Sequence, residues 1–210
     1  MKEGKFMKPM KKVLSLLCSL LCVLFIGSSV PAFAYPPCYW EDKLYKAIEN
    51  GNTPTAIRII NNYDINVEAR YDTLSFLERA IRNNNYAVTK LLLEHGANPN
   101  SRGIGRETPL HMACCREHPN FAILRLLIDY GADVNAVDKC NDNALYFALI
   151  GNDYGGDAVL PVVRFLLEAG VVPNVTNNKW KNTLDECRRR DPKSPKTEEL
   201  LKQYGAKSAE

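Results

Sequence analysis

Only three histidines occur in the chain, and it contains no Cys-X-X-Cys, no glycine-rich phosphate loop and no nucleophile elbow. Those gaps remove the usual outlines of thiol redox, phosphoryl-transfer and acyl-transfer chemistry. No paired carboxylates framed by glycines stand out either; Asp and Glu are scattered as on a solvated surface. Long hydrophobic runs are scarce. The main one, Val13 to Ile26, falls short of the ~20 residues a membrane-spanning helix needs. Excess charge is missing too, once the N-terminus is set aside. Of 27 basic and 24 acidic residues, Lys2, Lys5, Lys8, Lys11, Lys12 and Glu3 lie in the first 34, leaving 22 against 23 and a net of −1. The pI of 8.4 is therefore no argument for a nucleic-acid partner.

What the N-terminus does contain is the pattern of a secretory signal peptide. Lysines precede the apolar run, and Pro31-Ala32-Phe33-Ala34 follows with small residues at the −3 and −1 positions of a cleavage site after Ala34. Leu17 and Leu21 precede Cys18 and Cys22 where lipid modification wants Gly or Ala, and no twin arginine is present. The expectation is an exported protein, periplasmic or secreted, with no membrane insertion after signal removal.

Beyond a short, Pro-rich lead-in at 35–40, one pattern recurs. Leu77, Ala80 and Ile81 form one helical face, and Val88, Leu91, Leu92 and Leu93 form a second. Asn83-Asn84-Asn85 divides them, and Gly96 closes the pair where a residue tolerant of φ > 0 is wanted. Leu44, Leu77, Leu110, Leu145 and Leu184 act as anchors, spaced by 33, 33, 35 and 39 residues. Three positions after each stands a small residue: Ala47, Ala80, Ala113, Ala148 or Cys187. Self-similarity at this period marks a solenoid of helical pairs. The added residues, near Pro119-Asn120 and within Asn152 to Pro161, fall between the helices of their repeats and lengthen loops only.

The third unit, Thr108-Pro109-Leu110-His111-Met112-Ala113 followed by Gly131-Ala132-Asp133-Val134-Asn135, resembles the ankyrin repeat. Thr108 can cap the helix and Pro109 suits its first turn. The resemblance implies an all-α ankyrin-repeat solenoid with hairpin loops over 41–207, its repeats near 41–70, 74–103, 107–138, 142–177 and 181–207, and a tail at 208–210. It also implies that His111 bridges backbone groups of adjacent repeats. Departures concentrate at the ends: Asn62-Tyr63 replaces the Gly-Ala stop of the first repeat, and Asn182-Thr183 opens the last. End repeats meet water on one face, so deviation there is expected.

Five cysteines follow the leader: Cys38, Cys114, Cys115, Cys140 and Cys187. Cys114 and Cys187 occupy positions the family fills with alanine and read as small buried hydrophobes. Cys115 and Cys140 fall at neighbouring places across a repeat boundary and are candidates for a disulfide, which export would permit. His111, Cys114, Cys115 and His118 have the residue types of a zinc site. Their helical spacing turns some of them into the stack, so no metal and no cofactor is expected.

A solenoid offers a continuous concave surface. In ankyrin arrays it is made of hairpin tips and the exposed end of each first helix. Carried onto this chain, that surface includes Tyr71, Asp72, Arg82, Glu107, Arg116, Lys139, Lys179, Trp180, Lys181, Arg189 and Arg190. Charge along it runs from mixed to basic. The family therefore implies a non-enzymatic, monomeric module that binds a protein partner through this groove, its basic end facing an acidic patch. An inhibitor or immunity protein against a toxin or lipase is the specific variant. A secreted effector engaging a host protein, or an envelope oxidative-stress accessory, is the alternative.

Overall fold

The computed structural model describes residues 37–71, 73–116, 118–151, 159–177, 182–190 and 195–208. The expected signal peptide, Asp72, Lys179, Trp180, Lys181 and the inserted loop at 152–158 lie outside them. The described residues form ten helices in antiparallel pairs: α1 (Pro37–Glu49) with α2 (Thr53–Asn62), α3 (Phe76–Arg82) with α4 (Tyr86–Glu94), and α5 (Pro109–Cys114) with α6 (Phe121–Asp129). Then follow α7 (Ala144–Ile150) with α8 (Leu160–Glu168), and α9 (Thr183–Arg190) with α10 (Pro195–Gln203). The first helices stack on one another as an inner layer and the second helices as an outer layer. The Pro-rich lead-in is already helical from Pro37. Proline suits a first helical turn because its missing N–H has no partner to lose there.

Local chemistry sets each start and stop. Ser75, Thr108 and Asn143 accept from backbone N–H groups at the starts of α3, α5 and α7. Asn52, Asn85 and Asn120 do the same for α2, α4 and α6. A side-chain oxygen at this place satisfies an N–H the helix cannot, worth about 1 kcal/mol. The outer helices from α4 to α10 end on Gly96, Gly131, Gly170 and Gly205, all with φ between 83° and 92°. At the first repeat, where the glycine is missing, Tyr63 ends α2 in extended backbone instead.

The five anchor leucines are 0–2% exposed, and Ala80, Ala113, Ala148 and Cys187 beside them are no more than 2% exposed. A larger side chain at those four places would push adjacent inner helices apart. Truncating an anchor, as in Leu110→Ala, removes apolar contact that cannot be refilled and costs about 2–5 kcal/mol.

Side chains then lace one repeat to the next through peptide groups. Asn100 donates to the Gly131 carbonyl (2.9 Å) and accepts from Asp133 N–H (2.7 Å). Asn135 treats Gly170 and Val172 alike, and Asn174 does so with Gly205 and Lys207. At the first boundary Glu68 substitutes, accepting from Asn98 N–H at 2.7 Å. A second row runs along the hairpins: Arg70 donates to Arg102 O, Arg102 to Val137 O and Asn141 to Thr176 O. The one strand pair among the described residues, β1 (Arg70–Tyr71) with β2 (Leu74–Ser75), closes the hairpin ahead of α3.

Candidate functional site

Hairpins and inner-helix ends of the second to fourth repeats enclose a groove of about 520 Å³. Thr73 and Leu74 come from the first hairpin, Gly103, Ile104, Gly105 and Glu107 from the second, and Lys139 from the third. The inner helices contribute Glu78, Arg82, Met112 and Phe147, with Cys115 and Arg116 following α5. Leu74, Met112 and Phe147 make an apolar floor, while Ile104 at a hairpin tip is 78% exposed. Phe147 is seated by stacking on the His111 ring, with centroids 4.7 Å apart.

Two glycines position the rim. A Cβ on Gly105 would run into Glu107 Oε1, so the Glu107 carboxylate lies where a side chain at 105 would project. A Cβ on Gly151 would meet the Cys115 carbonyl carbon and Cα at 2.6 Å. There the two backbones touch, and that contact holds the ends of α5 and α7 together with Cys115 and Arg116 at the groove's edge. The hairpins themselves close through Gly103 N–H to Glu107 O (2.9 Å) and Asp138 N–H to Asp142 O (3.0 Å). Arg106 and Asn141 supply the positive-φ residue in each, at 65° and 64°.

Electrostatics within the groove is uneven. The Glu78 carboxylate is buried and taken by Arg70, Nη1 to Oε2 and Nη2 to Oε1 both at 3.1 Å, and by Ser75 N–H at 2.7 Å. Arg116 Nη1 donates to the Arg82 carbonyl at 2.7 Å, an acceptor that carries no formal charge. Arg82 approaches Glu49 at 3.5 Å, but that carboxylate is shared with Arg79. The Arg79 hydrogen bond holds the Glu49 carboxyl below its ordinary range.

Of the residues expected on the binding surface, Arg82, Glu107, Arg116 and Lys139 do meet in this groove. Tyr71 does not. Its ring is half-buried, 5.1 Å from Tyr45 and 5.8 Å from Phe76, because β1 turns it into the stack. At the far end, Arg189 pairs with the buried Glu186, and Arg188 with Glu198 at 2.9 Å. Of the expected basic end, Arg189 is thus neutralised locally, because the same helix carries the carboxylate. Arg190 ends α9, and Lys179, Trp180 and Lys181 lie outside the described residues.

The candidate Cys115–Cys140 bridge is not formed in this structure, where both residues are thiols. Cys140 Sγ turns into its own hairpin, within 4.8 Å of ligand atoms of Asp138 and Asp142, whereas Cys115 faces out at the end of α5. Asp138 explains that cluster without a metal, since its Oδ1 accepts from Cys140 and Asp142 N–H and so shapes the loop. His111 is committed elsewhere. Thr108 N–H donates to Nδ1 (3.0 Å), which leaves Nε2–H to donate to the Ala136 carbonyl (3.0 Å) across the repeat boundary. Burial holds its pKa below the ordinary 6.5, so the ring is neutral near pH 7. Cys114 is buried, and desolvation pushes its thiol pKa far up.

Sequence reasoning missed the Arg70–Glu78 and Arg79–Glu49 pairs. The signal was present: glutamate stands at 78 where the third repeat has His111, and a charge at a core-facing place calls for a partner.

Comparison with protein families matches residues 92–148 to a family described as "Ankyrin repeats (many copies)" and residues 77–104 to "Ankyrin repeat". A comparison with the curated proteins returns no match. The two matches together run from 77 to 148 and take in every groove residue except Thr73 and Leu74.

Proposed function

We propose that this ankyrin-repeat protein, a protein–protein interaction module by family, grips its partner in the groove between Leu74 and Phe147. One observation carries the reading. Ile104, the most exposed large apolar side chain among the described residues, stands over an apolar floor rimmed by Arg82, Arg116 and Lys139. An apolar anchor inside a polar rim is the usual anatomy of a protein interface. Among the described residues no helix is long and apolar enough to cross a membrane.

The finer reading is that the protein works after export, in a bacterial periplasm or outside the cell. The lysine-led apolar run and the Ala32–Ala34 cleavage pattern support it. There it acts without catalysis, as an inhibitor that occludes a toxin or lipase. A photo-reactive amino acid placed at 104, compared with one at Tyr130 on the outer layer, tests the groove. Cross-linking to a partner from 104 and not from 130 is expected; the reverse would remove the groove reading. Fractionation of expressing cells tests export, with N-terminal sequencing expected to begin at Tyr35.

A further inference from the structure

The outer layer carries charges of its own, and these stand in register. Counting back from Gly131 and Gly170, which close α6 and α8, Arg125 and Arg164 lie six residues earlier and Asp129 and Glu168 two. A row of cations therefore runs from α6 to α8 beside a row of carboxylates one helical turn away. All four residues are exposed, and among the described residues none of them enters an ion pair. In α4 the residues of the same register, Lys90 and Glu94, do close on each other at 3.7 Å. Arg125, Asp129 and Glu168 line a hollow of about 270 Å³ between α6 and α8, with Ile128 and Phe165 in its wall. Phe121 stands edge-on to Phe165, ring centroids 5.8 Å apart, and remains 42% exposed.

We propose that two copies of this chain pair back to back through this outer face, leaving the groove of each copy open. A surface that bears both signs in separate rows is its own complement. A two-fold axis lying in the contact and running along the rows sets each cation row over the other copy's carboxylates. The perpendicular axis sets like on like, so charge selects one of the two arrangements. Phe121 and Phe165, between the rows and the helix starts, supply apolar contact. A nucleic acid or an anionic lipid surface fits worse, since the carboxylate row repels what the cation row attracts. The contact is small, so association is reversible, with a dissociation constant on the order of 10 µM.

Sedimentation of the purified protein over a concentration series tests it. The mass should climb from one chain to two as concentration rises, and less readily in high salt. Arg125→Glu with Arg164→Glu should leave a single chain, as should Asp129→Arg with Glu168→Arg, with helical circular dichroism unchanged in both. Mixing these two variants should restore pairing, because in one both rows of α6 and α8 are acidic and in the other both are basic. Phe121→Ser should weaken association by about tenfold. A protein that stays a single chain throughout would overturn the proposal, as would pairing untouched by either double reversal or a mixture that fails to pair. Pairing abolished by Ile104→Ser would also overturn it, by placing the contact at the groove. A cross-link from Tyr130 that joins two copies has twice the chain's mass, so it reports this contact and leaves the groove reading to position 104.

Discussion

Glu78 and His111 each follow an anchor leucine by one residue, cap the same turn of an inner helix and are equally hidden from water. One is held by a guanidinium, the other by a peptide carbonyl. In the second repeat the carboxylate draws Arg70 across from its own hairpin, and Arg70 passes the connection on to Arg102 O in the next repeat. In the third repeat the imidazole reaches Ala136 O directly. The same mechanical task is thus done once by a charged relay and once by a neutral bridge. A charged relay fails badly when it loses one member, because the other is left as a buried charge. A neutral bridge fails when it is forced to carry a proton.

That contrast orders the expected effects. Arg70→Ala should be the most damaging, costing about 3 kcal/mol or more, since Glu78 has only 1% of its side chain exposed. Urea unfolding monitored by circular dichroism measures it, and Arg70→Met with Glu78→Gln together should recover much of the loss. If Arg70→Ala alone were nearly silent, the relay would not be carrying the hairpin. His111→Ala should cost about 2 kcal/mol, one cross-repeat hydrogen bond plus one reciprocal cap. Unlike the second-repeat variant, its effect should change little with salt.

Acid should separate the two further. Burial lowers the His111 pKa in the folded protein, so the unfolded chain takes up the proton first. The contribution of His111 is whole above the ordinary value of 6.5 and declines as pH falls from there through the folded-state pKa. Asp138 and Glu107 nearby oppose the lowering and Arg102 adds to it. Urea midpoints should fall between about pH 7 and pH 5 in the parent protein, and fall less steeply in His111→Gln. An equal slope in both would assign the acid sensitivity elsewhere. Asn135→Ala should cost about 1 kcal/mol, seen as faster amide exchange near Val172. The smallest effect should be a gain: Arg106→Gly relieves a side chain at φ 65° and should add up to about 1 kcal/mol.

Much of this architecture was legible before any coordinates. The anchor spacing, the small residue three positions on, and the glycine after each later outer helix all follow from helical packing, which leaves a period in the residues themselves. Loop insertions were legible for the same reason, as departures from that period. What could not be read is whatever depends on rotamers across a repeat boundary. Tyr71 was expected to line the groove, and a turn of the strand sends it inward against Tyr45. Arg189 was expected to contribute charge to a partner, and Glu186, one turn earlier on the same helix, neutralises it. Cys115 and Cys140 sit on adjacent repeats, yet Cys140 is gathered into the Asp138 turn beside Asp142 and the two remain thiols. Composition along a surface predicts charge only when each ion's nearest neighbour is known, and that neighbour can lie one turn away, as Glu186 does from Arg189, or in the preceding repeat, as Glu49 does from Arg82.

The asparagines that join successive units finish on main-chain groups, at Gly131, Gly170 and Gly205 carbonyls and the amides two residues later. Every amino acid other than proline offers the same pair. A neighbouring unit can therefore change its outward-facing residues without renegotiating the joint. Mutation can redraw the partner-facing side freely, while the seams demand only that the chain pass through the same place.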